Sequence, residues 1–178
     1  MKKNNLILIG MPGSGKTTVG GELAKSLKYQ FIDADVLIEE RMNMSLEQII
    51  SKYGIDKFHE IEGDINSSIN GEHQVISTGG SIIYNSNAME HYNKIGTIVY
   101  LNHTYEELKI RLGDLKKRGV TVKPGQTLYD LYLERIPLYE KYADVNVKIP
   151  FGKIPVKDTV NIVIDKLKEN SINIYSLN

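Results

Sequence analysis

The chain has 178 residues, with 22 Lys plus Arg against 22 Asp plus Glu, and it contains no cysteine. The balanced charge argues against a dedicated nucleic-acid or membrane binder, because both need a basic excess. The lack of cysteine excludes disulfides, thiolate zinc sites and cysteine nucleophiles. The length predicts one domain over residues 1–178. The first apolar run covers only residues 6–9, too short for a secretion signal, so we expect a cytoplasmic protein, and we expect a monomer.

Short apolar runs alternate along the chain with amphipathic stretches of helical period. The predicted strands cover residues 6–9, 29–32, 75–78, 97–101 and 144–149. The predicted helices cover residues 16–28, 36–42, a stretch that opens at Ser45, 56–68 with Asp56 as its cap, 105–112, 127–142 and 157–168. Alternating strands and helices of these lengths predict a three-layer α/β/α sandwich around a five-stranded parallel sheet.

Residues 10–17 match the phosphate-loop pattern G-x-x-x-x-G-K-[ST] at every fixed position, between an apolar strand and a helix. Glycines let backbone N–H groups converge on phosphate oxygens, and the helix N-terminus adds a positive dipole. We therefore expect Lys16 to neutralise charge on the β- and γ-phosphates of a nucleotide and the Thr17 hydroxyl to join the Mg²⁺ shell. The residues expected to bind the nucleotide here are Gly13, Ser14, Gly15, Lys16, Thr17 and Thr18.

Three classes of phosphate-loop protein compete: a regulatory GTPase, a mechanical ATPase and a small-molecule kinase. The guanine-reading Asn-Lys-x-Asp pattern is incomplete at Asn93-Lys94-Ile95-Gly96, and D-x-x-G occurs nowhere in the chain. The strand ending in an Asp-Glu pair that mechanical ATPases carry is also missing. The basic stretch 114–125 suits a closing loop, which phosphoryl transfer uses for positioning and charge stabilisation. These features favour a kinase.

Asp33 and Asp35 stand at the end of the second predicted strand, the edge of an α/β sheet where ligands bind. Carboxylates one residue apart point to opposite sides of an extended chain. One carboxylate could therefore face Mg²⁺ while the other holds and deprotonates a hydroxyl acceptor. The alternative is that one of them only caps the following helix.

The chain resembles the shikimate kinase family over about residues 5–149. The residues that carry the resemblance are the phosphate loop with Thr18-Val19-Gly20, Phe31-Ile32-Asp33-Ala34-Asp35 with Ile38-Glu39, Phe58 with Glu62, Ser77-Thr78-Gly79-Gly80, Val99-Tyr100-Leu101, Glu134-Arg135-Ile136-Pro137-Leu138-Tyr139 and Ala143-Asp144. The resemblance implies a fold like that of P-loop nucleoside-monophosphate kinases, with a mobile lid over about 112–125 and substrate-binding helices over about 33–70. It also implies Mg²⁺-dependent phosphorylation of shikimate by ATP, giving shikimate 3-phosphate for aromatic amino-acid biosynthesis.

Two other functions remain open at this point. One is a related kinase for another hydroxy acid or amino acid, such as gluconate or homoserine. The other is a nucleotide-sensing module that has lost its acceptor pocket.

The resemblance also implies roles on the acceptor side of the site. Asp35 would grip the substrate hydroxyls, Gly79 and Gly80 would lie against the substrate ring, and Arg135 would hold the carboxylate. Arginine suits this last task because its planar fork binds a carboxylate through two hydrogen bonds.

Three further roles on the nucleotide side follow from the same resemblance. Asp33 would help to place Mg²⁺, Arg118 in the lid would reach the transferring phosphate, and Arg111 would stack on adenine. Arginine can both contact phosphate and stack on a ring. Lys16, Asp35 and Arg118 are thus the expected catalytic residues.

The chain departs from the family pattern at three places. His59 stands where the family has a second carboxylate-binding arginine, Ser81 replaces the third glycine of a Gly-Gly-Gly turn, and Lys117-Arg118-Gly119-Val120 replaces Arg-Pro-Leu in the lid. His59 could bind the acceptor, or it could be a solvated helix residue partnered by Glu60 and Glu62. Glu62 could orient His59 or Asp35, or it could face solvent.

Overall fold

The computed structural model describes residues 4–112, 123 and 125–174. Its strands are β1 (Asn5–Ile9), β2 (Gln30–Asp33), β3 (Gln74–Ser77), β4 (Gly96–Asn102) and β5 (Val145–Lys148). They form one parallel sheet in the order β2-β3-β1-β4-β5. The predicted five-stranded parallel sheet is therefore confirmed, and each strand lies within one residue of its expected bounds at both ends.

The helices are α1 (Lys16–Leu27), α2 (Ala34–Met42), α3 (Leu46–Tyr53), α4 (Ile55–Ser67), α5 (Ser86–Ile95), α6 (Tyr105–Leu112), α7 (Leu128–Tyr142) and α8 (Val156–Glu169). Helix α5 is absent from the sequence prediction. Asn85 caps it by accepting a hydrogen bond from the backbone of Ala88. Most of the expected lid, 112–125, lies outside the described residues. Within the part of the chain that is described, every helix is too short or too polar to cross a membrane.

Helices cover both faces of the sheet, as expected for the three-layer sandwich. Alternate residues of β1 point to opposite faces. Ile7 and Ile9 pack in one buried cluster with residues of α5 and α7, whereas Leu6 and Leu8 pack in another with residues of α1 and α8. Every residue of β1 is buried, which is the usual environment of a central parallel strand.

Helices α2, α3 and α4 form a separate small core beside the sheet, built on Ile38, Ile49, Phe58 and Ile65. Ser45 caps α3 through a capping box with Gln48, as its place before the apolar run predicts. Asp56, however, is not the cap of α4. That helix begins at Ile55 after Gly54, which has a φ of 83° and makes no side-chain cap bond. Asp56 lies in the first turn instead, where its negative charge interacts favourably with the helix dipole.

Candidate active site

The phosphate loop connects β1 to α1, and its backbone carbonyls bind the amino group of Lys16. Gly13 and Gly15 adopt φ values of 77° and 86°, which residues with a Cβ rarely tolerate. Lys16 Nζ donates hydrogen bonds to the carbonyl oxygens of Gly10 at 2.8 Å and Met11 at 3.0 Å. Burial lowers the pKa of Lys16 to about 8, and the negative charge of Asp35 opposes this effect. The loop thus carries a pre-positioned cation where phosphate would bind.

Thr17 and Asp33 form the second polar contact of this loop. The Thr17 hydroxyl donates to Asp33 Oδ2 at 2.8 Å and lies 3.3 Å from the hydroxyl of Ser77, the last residue of β3. The other oxygen of Asp33 accepts hydrogen bonds from the backbone of Asp35 and Val36 at the start of α2. Asp33 therefore caps α2 and also contacts the phosphate loop, so its capping role is compatible with a role in placing Mg²⁺.

Asp35 lies in the first turn of α2, not in the extended strand, and its side chain is free of capping. A Cβ on Gly79 would lie 2.9 Å from Asp35 Oδ1 and 2.3 Å from Glu62 Oε1, so both carboxyl groups lie against this turn. Burial raises the pKa of Asp35 to about 6, and Asp33 adds to the effect. A carboxylate with this pKa is ionised at neutral pH and can still accept a proton.

Arg135 lies on α7 with only 2% of its surface exposed. Its Nε donates to the Tyr84 hydroxyl at 3.2 Å, and that hydroxyl donates to Glu134. Tyr139 donates to the Gly80 carbonyl at 2.6 Å, which ties α7 to the turn after β3. A Cβ on Gly80 would lie 2.9 Å from Pro12 Cδ and 3.0 Å from Arg135 Nη1, so a side chain at this position would crowd both residues.

A cavity of about 310 Å³ brings the two halves of the site together. The predicted site residues that line it are Gly13, Gly15, Lys16, Thr17, Thr18, Asp35, Gly79, Gly80 and Arg135. Ser14 of the phosphate loop is buried. Its carbonyl oxygen accepts a hydrogen bond from Nε2 of His103, which follows β4, at 3.0 Å. The phosphate loop and the acceptor residues thus face one common space.

His59 does not line this cavity. It lies in an adjacent one, which it shares with Tyr84 and Arg135, and its ring centroid is 5.4 Å from that of Tyr84. Its Nε2 atom is buried and has no hydrogen-bond partner among the residues that the structure describes. Burial and the nearby Arg135 lower the pKa of His59, which favours the neutral ring. The alternative in which Glu60 and Glu62 are the partners of His59 is wrong, because Glu60 pairs with Lys57 and Glu62 accepts from Ser81.

Glu62 is buried at 1% exposure, which corrects the alternative that it faces solvent. Its carboxyl group accepts from the Ser81 hydroxyl, and both residues line the 310 Å³ cavity. Burial raises the pKa of Glu62 to about 8. Residues that sequence reasoning did not assign to the site, Tyr84 and Tyr139, hold Arg135 and the glycine turn in place; the Arg-x-Pro-Leu-Tyr motif already contains Tyr139.

Arg111 on α6 lies beside the phosphate loop, where a Cβ on Gly15 would be 3.9 Å from its Nη1. Its Nε donates to Glu107 at 2.7 Å, and Glu107 also accepts from the backbone of Gly152 at 3.1 Å. This places Arg111 at the nucleotide end of the site. Arg118 and the rest of the sequence 117–120 lie outside the described residues.

The chain is similar to shikimate kinases in both sequence and structure. The family model described as shikimate kinase matches residues 12–154. A shikimate kinase of Clostridium botulinum (strain Langeland) is 46% identical over 144 residues, which cover 77% of this chain and 83% of that protein. The structure of shikimate kinase from Acinetobacter baumannii in complex with shikimate superposes with a TM-score of 0.83 at 30% identity and 96% coverage of both chains.

A gluconokinase from Sinorhizobium meliloti also matches, over 94% of this chain and 93% of the other, with a TM-score of 0.56. At 18% identity it shares the fold alone. The phosphate loop, Asp35, the glycine turn and Arg135 surround one cavity, and Asp33 accepts a hydrogen bond from Thr17, which lines it. The match of the family model over most of the chain agrees with this arrangement, and the chain belongs to the shikimate kinase family.

Proposed function

We propose that this protein transfers the γ-phosphoryl group of ATP to a hydroxyl group of shikimate and produces shikimate 3-phosphate and ADP. The observation that carries the proposal is the common cavity, in which a phosphate loop faces a carboxylate and a buried arginine. A phosphoryl donor and a hydroxylated carboxylic acid would then lie side by side. Phosphoryl transfer depends mainly on such positioning and on charge stabilisation.

On the donor side, the backbone N–H groups of the loop and the Lys16 ammonium group bind the phosphates. Lys16 gives up its bonds to the Gly10 and Met11 carbonyls in favour of phosphate oxygens, a stronger charge-assisted contact. Nucleotide binding also brings negative charge to Lys16, which favours its protonated form. Its charge then stabilises the negative charge that develops on the transferring group.

On the acceptor side, Asp35 hydrogen-bonds the attacking hydroxyl and Arg135 binds the carboxylate. The hydroxyl oxygen forms a bond to the γ-phosphorus while the bond from that phosphorus to the β–γ bridging oxygen breaks. The hydroxyl proton goes to Asp35, whose pKa of about 6 leaves it ionised and able to accept it. Gly79 and Gly80 lie at the wall of the cavity, where a Cβ at either position would come too close to other residues of the site.

Magnesium fits the residues next to the phosphates. Mg²⁺ is usually bound by one or two protein oxygen ligands together with substrate phosphates and water. The Thr17 hydroxyl and the Asp33 carboxylate are the oxygen donors that would hold it, directly or through water, and they already lie 2.8 Å apart. When bound, the ion neutralises phosphate charge.

The remaining assignments complete the proposal. Arg111 stacks on adenine, which its place beside Gly15 supports, and Arg118 in the lid contacts the transferring phosphate. We propose that the protein acts as a monomer. We also propose a cytoplasmic location, where ATP is available.

The test is a coupled ADP-release assay with shikimate, gluconate, homoserine or no acceptor, followed by identification of the phosphorylated product. We expect Mg²⁺-dependent ADP release with shikimate and formation of the 3-phosphate. Asp35→Asn is the matched control, since it keeps the size of the side chain and removes the proton acceptor. Faster turnover of gluconate or homoserine than of shikimate would assign the enzyme to that acceptor instead.

A further inference from the structure

Ser81 and Glu62 form a buried pair on the acceptor side of the cavity. Ser81 follows the glycine turn after β3 and is 6% exposed, while Glu62 projects from α4. Ser81 Oγ lies 3.0 Å from Glu62 Oε1 and 2.8 Å from Oε2. The Ser81 hydroxyl thus donates to the buried Glu62 carboxyl group. A buried carboxyl group that loses its donor is destabilised.

The Ser81 hydroxyl is available for this contact because it takes no part in capping. Ser81 directly precedes the 3₁₀ turn Ile82–Tyr84, a position at which a serine often bonds to the following backbone. No such side-chain bond forms here, and the hydroxyl is directed to Glu62 instead. The interaction therefore links α4 to the turn that follows β3, across 19 residues of sequence.

Glu62 in turn lies against the part of the site that would hold the substrate. Its Oε1 would be 2.3 Å from a Cβ on Gly79, and Asp35 Oδ1 would be 2.9 Å from the same atom. The two carboxyl groups thus approach one glycine from two helices, α2 and α4. A shift of the Glu62 carboxyl group would change the shape of this wall next to Asp35.

We propose that Ser81 is a positioning residue for the acceptor, which acts by fixing the Glu62 carboxyl group against Gly79. The inference rests on the proposed function and adds a specificity element to the same site. A glycine at position 81, which the family pattern has, carries no hydroxyl and makes no such bond. The acceptor pocket of this chain therefore depends on a hydrogen bond that the family pattern does not supply.

The test is steady-state kinetics with shikimate and ATP for Ser81→Ala, Ser81→Gly and Ser81→Thr. Loss of the hydroxyl in the Ala and Gly variants should raise the KM for shikimate roughly 3- to 10-fold, while kcat and the KM for ATP change by less than about twofold. Ser81→Thr keeps the hydroxyl and should therefore retain most of the wild-type affinity for shikimate. If bulk at position 81 matters instead, Ser81→Gly will lower the KM, and the proposal is wrong.

A double-mutant cycle shows whether Ser81 acts through Glu62. In a Glu62→Ala or Glu62→Gln background, the Ser81→Ala change should raise the KM for shikimate less than it does in the wild type, and least in Glu62→Ala, which leaves no acceptor for the hydroxyl. Equal effects in all backgrounds would overturn the proposal. So would parallel increases in the KM values for shikimate and ATP, which a general structural defect would cause.

Shikimate turnover by the wild type distinguishes a failure of this inference from a failure of the proposed function on which it rests. Lack of shikimate turnover in the wild type would overturn the proposed function and this inference together. Normal turnover in the wild type with an unchanged KM in Ser81→Ala would overturn this inference alone.

Discussion

The Thr17 hydroxyl donates to Asp33 Oδ2 at 2.8 Å while Asp33 Oδ1 accepts from the backbone at the start of α2. One carboxylate thus joins the phosphate loop to the helix that carries Asp35. The charge of Asp33 and its capping ability can be tested separately by substitutions that remove one or both of them.

Asp33→Asn should weaken the response to Mg²⁺ without destabilising the fold. Asparagine caps a helix about as well as aspartate, so the melting temperature should stay near that of the wild type. Removal of the charge should raise the Mg²⁺ concentration needed for half-maximal velocity several-fold. Asp33→Ala should show the same kinetic defect and also lose the cap, worth about 1 kcal/mol. Equal melting temperatures for these two variants would contradict the capping role.

Lys16→Ala should lower kcat by roughly 10²- to 10³-fold, because it removes a charge that stabilises the transition state. Lys16 is buried but contributes bonds to the loop rather than to the hydrophobic core, so the variant should still fold. Lys25→Ala provides the control. That lysine lies on the same helix, is 78% exposed and should be replaceable without loss of activity. Retention of more than about a tenth of wild-type turnover by Lys16→Ala would contradict its assignment.

The pH profile of kcat/KM should have an acidic limb near pH 6 and an alkaline limb near pH 8. Asp35 must be ionised to accept a proton, so activity should fall as pH drops through its pKa of about 6. Lys16 must be protonated, and its pKa of about 8 in the free protein predicts a loss above that pH. Steady-state rates at low substrate concentration report these free-enzyme groups. A flat profile between pH 5 and 7, a window of about two units, would contradict the role of Asp35.

Asp35→Asn should inactivate the enzyme and stabilise the protein at neutral pH. The pKa of Asp35 is about 6 in the folded chain against 3.8 for an unperturbed aspartate. Its contribution to the free energy of unfolding is therefore greatest below the lower pKa and decreases as pH rises through the higher one. The Asn variant, which cannot ionise, should exceed the wild type in melting temperature above pH 6 and match it at the acidic end. A lower melting temperature at pH 7 would contradict this balance.

His59→Arg should lower the KM for shikimate roughly tenfold with little change in kcat, because it adds a charge-assisted contact to the carboxylate. In the absence of substrate, the new charge near Arg135 should lower the melting temperature, and shikimate should restore it. Ser81→Gly adds no charge and should not lower the KM. An unchanged KM in His59→Arg would mean that the acceptor does not reach the cavity that His59 lines.

Local patterns in the sequence were sufficient to predict the sheet, the phosphate loop and the Asp33–Asp35 pair. A buried parallel strand is a short apolar run, and a phosphate loop is a contiguous motif, so neighbouring residues alone encode them. The glycine turn and Arg135 came from family motifs of the same contiguous kind. Helix α5 was missed because its buried residues depend on packing against β4 and α4.

Only the tertiary structure decided which polar side chains meet across the cavity. Periodicity places Glu62 on a face of α4, but it does not determine what packs on that face. The packing of α4 against the turn after β3 buries Glu62, joins it to Ser81 and leaves His59 in the adjacent cavity. Such contacts join residues that are distant in the chain. Their hydrogen bonds form only after the hydrophobic core has set the positions of the helices, so the sequence pattern of either segment does not contain them.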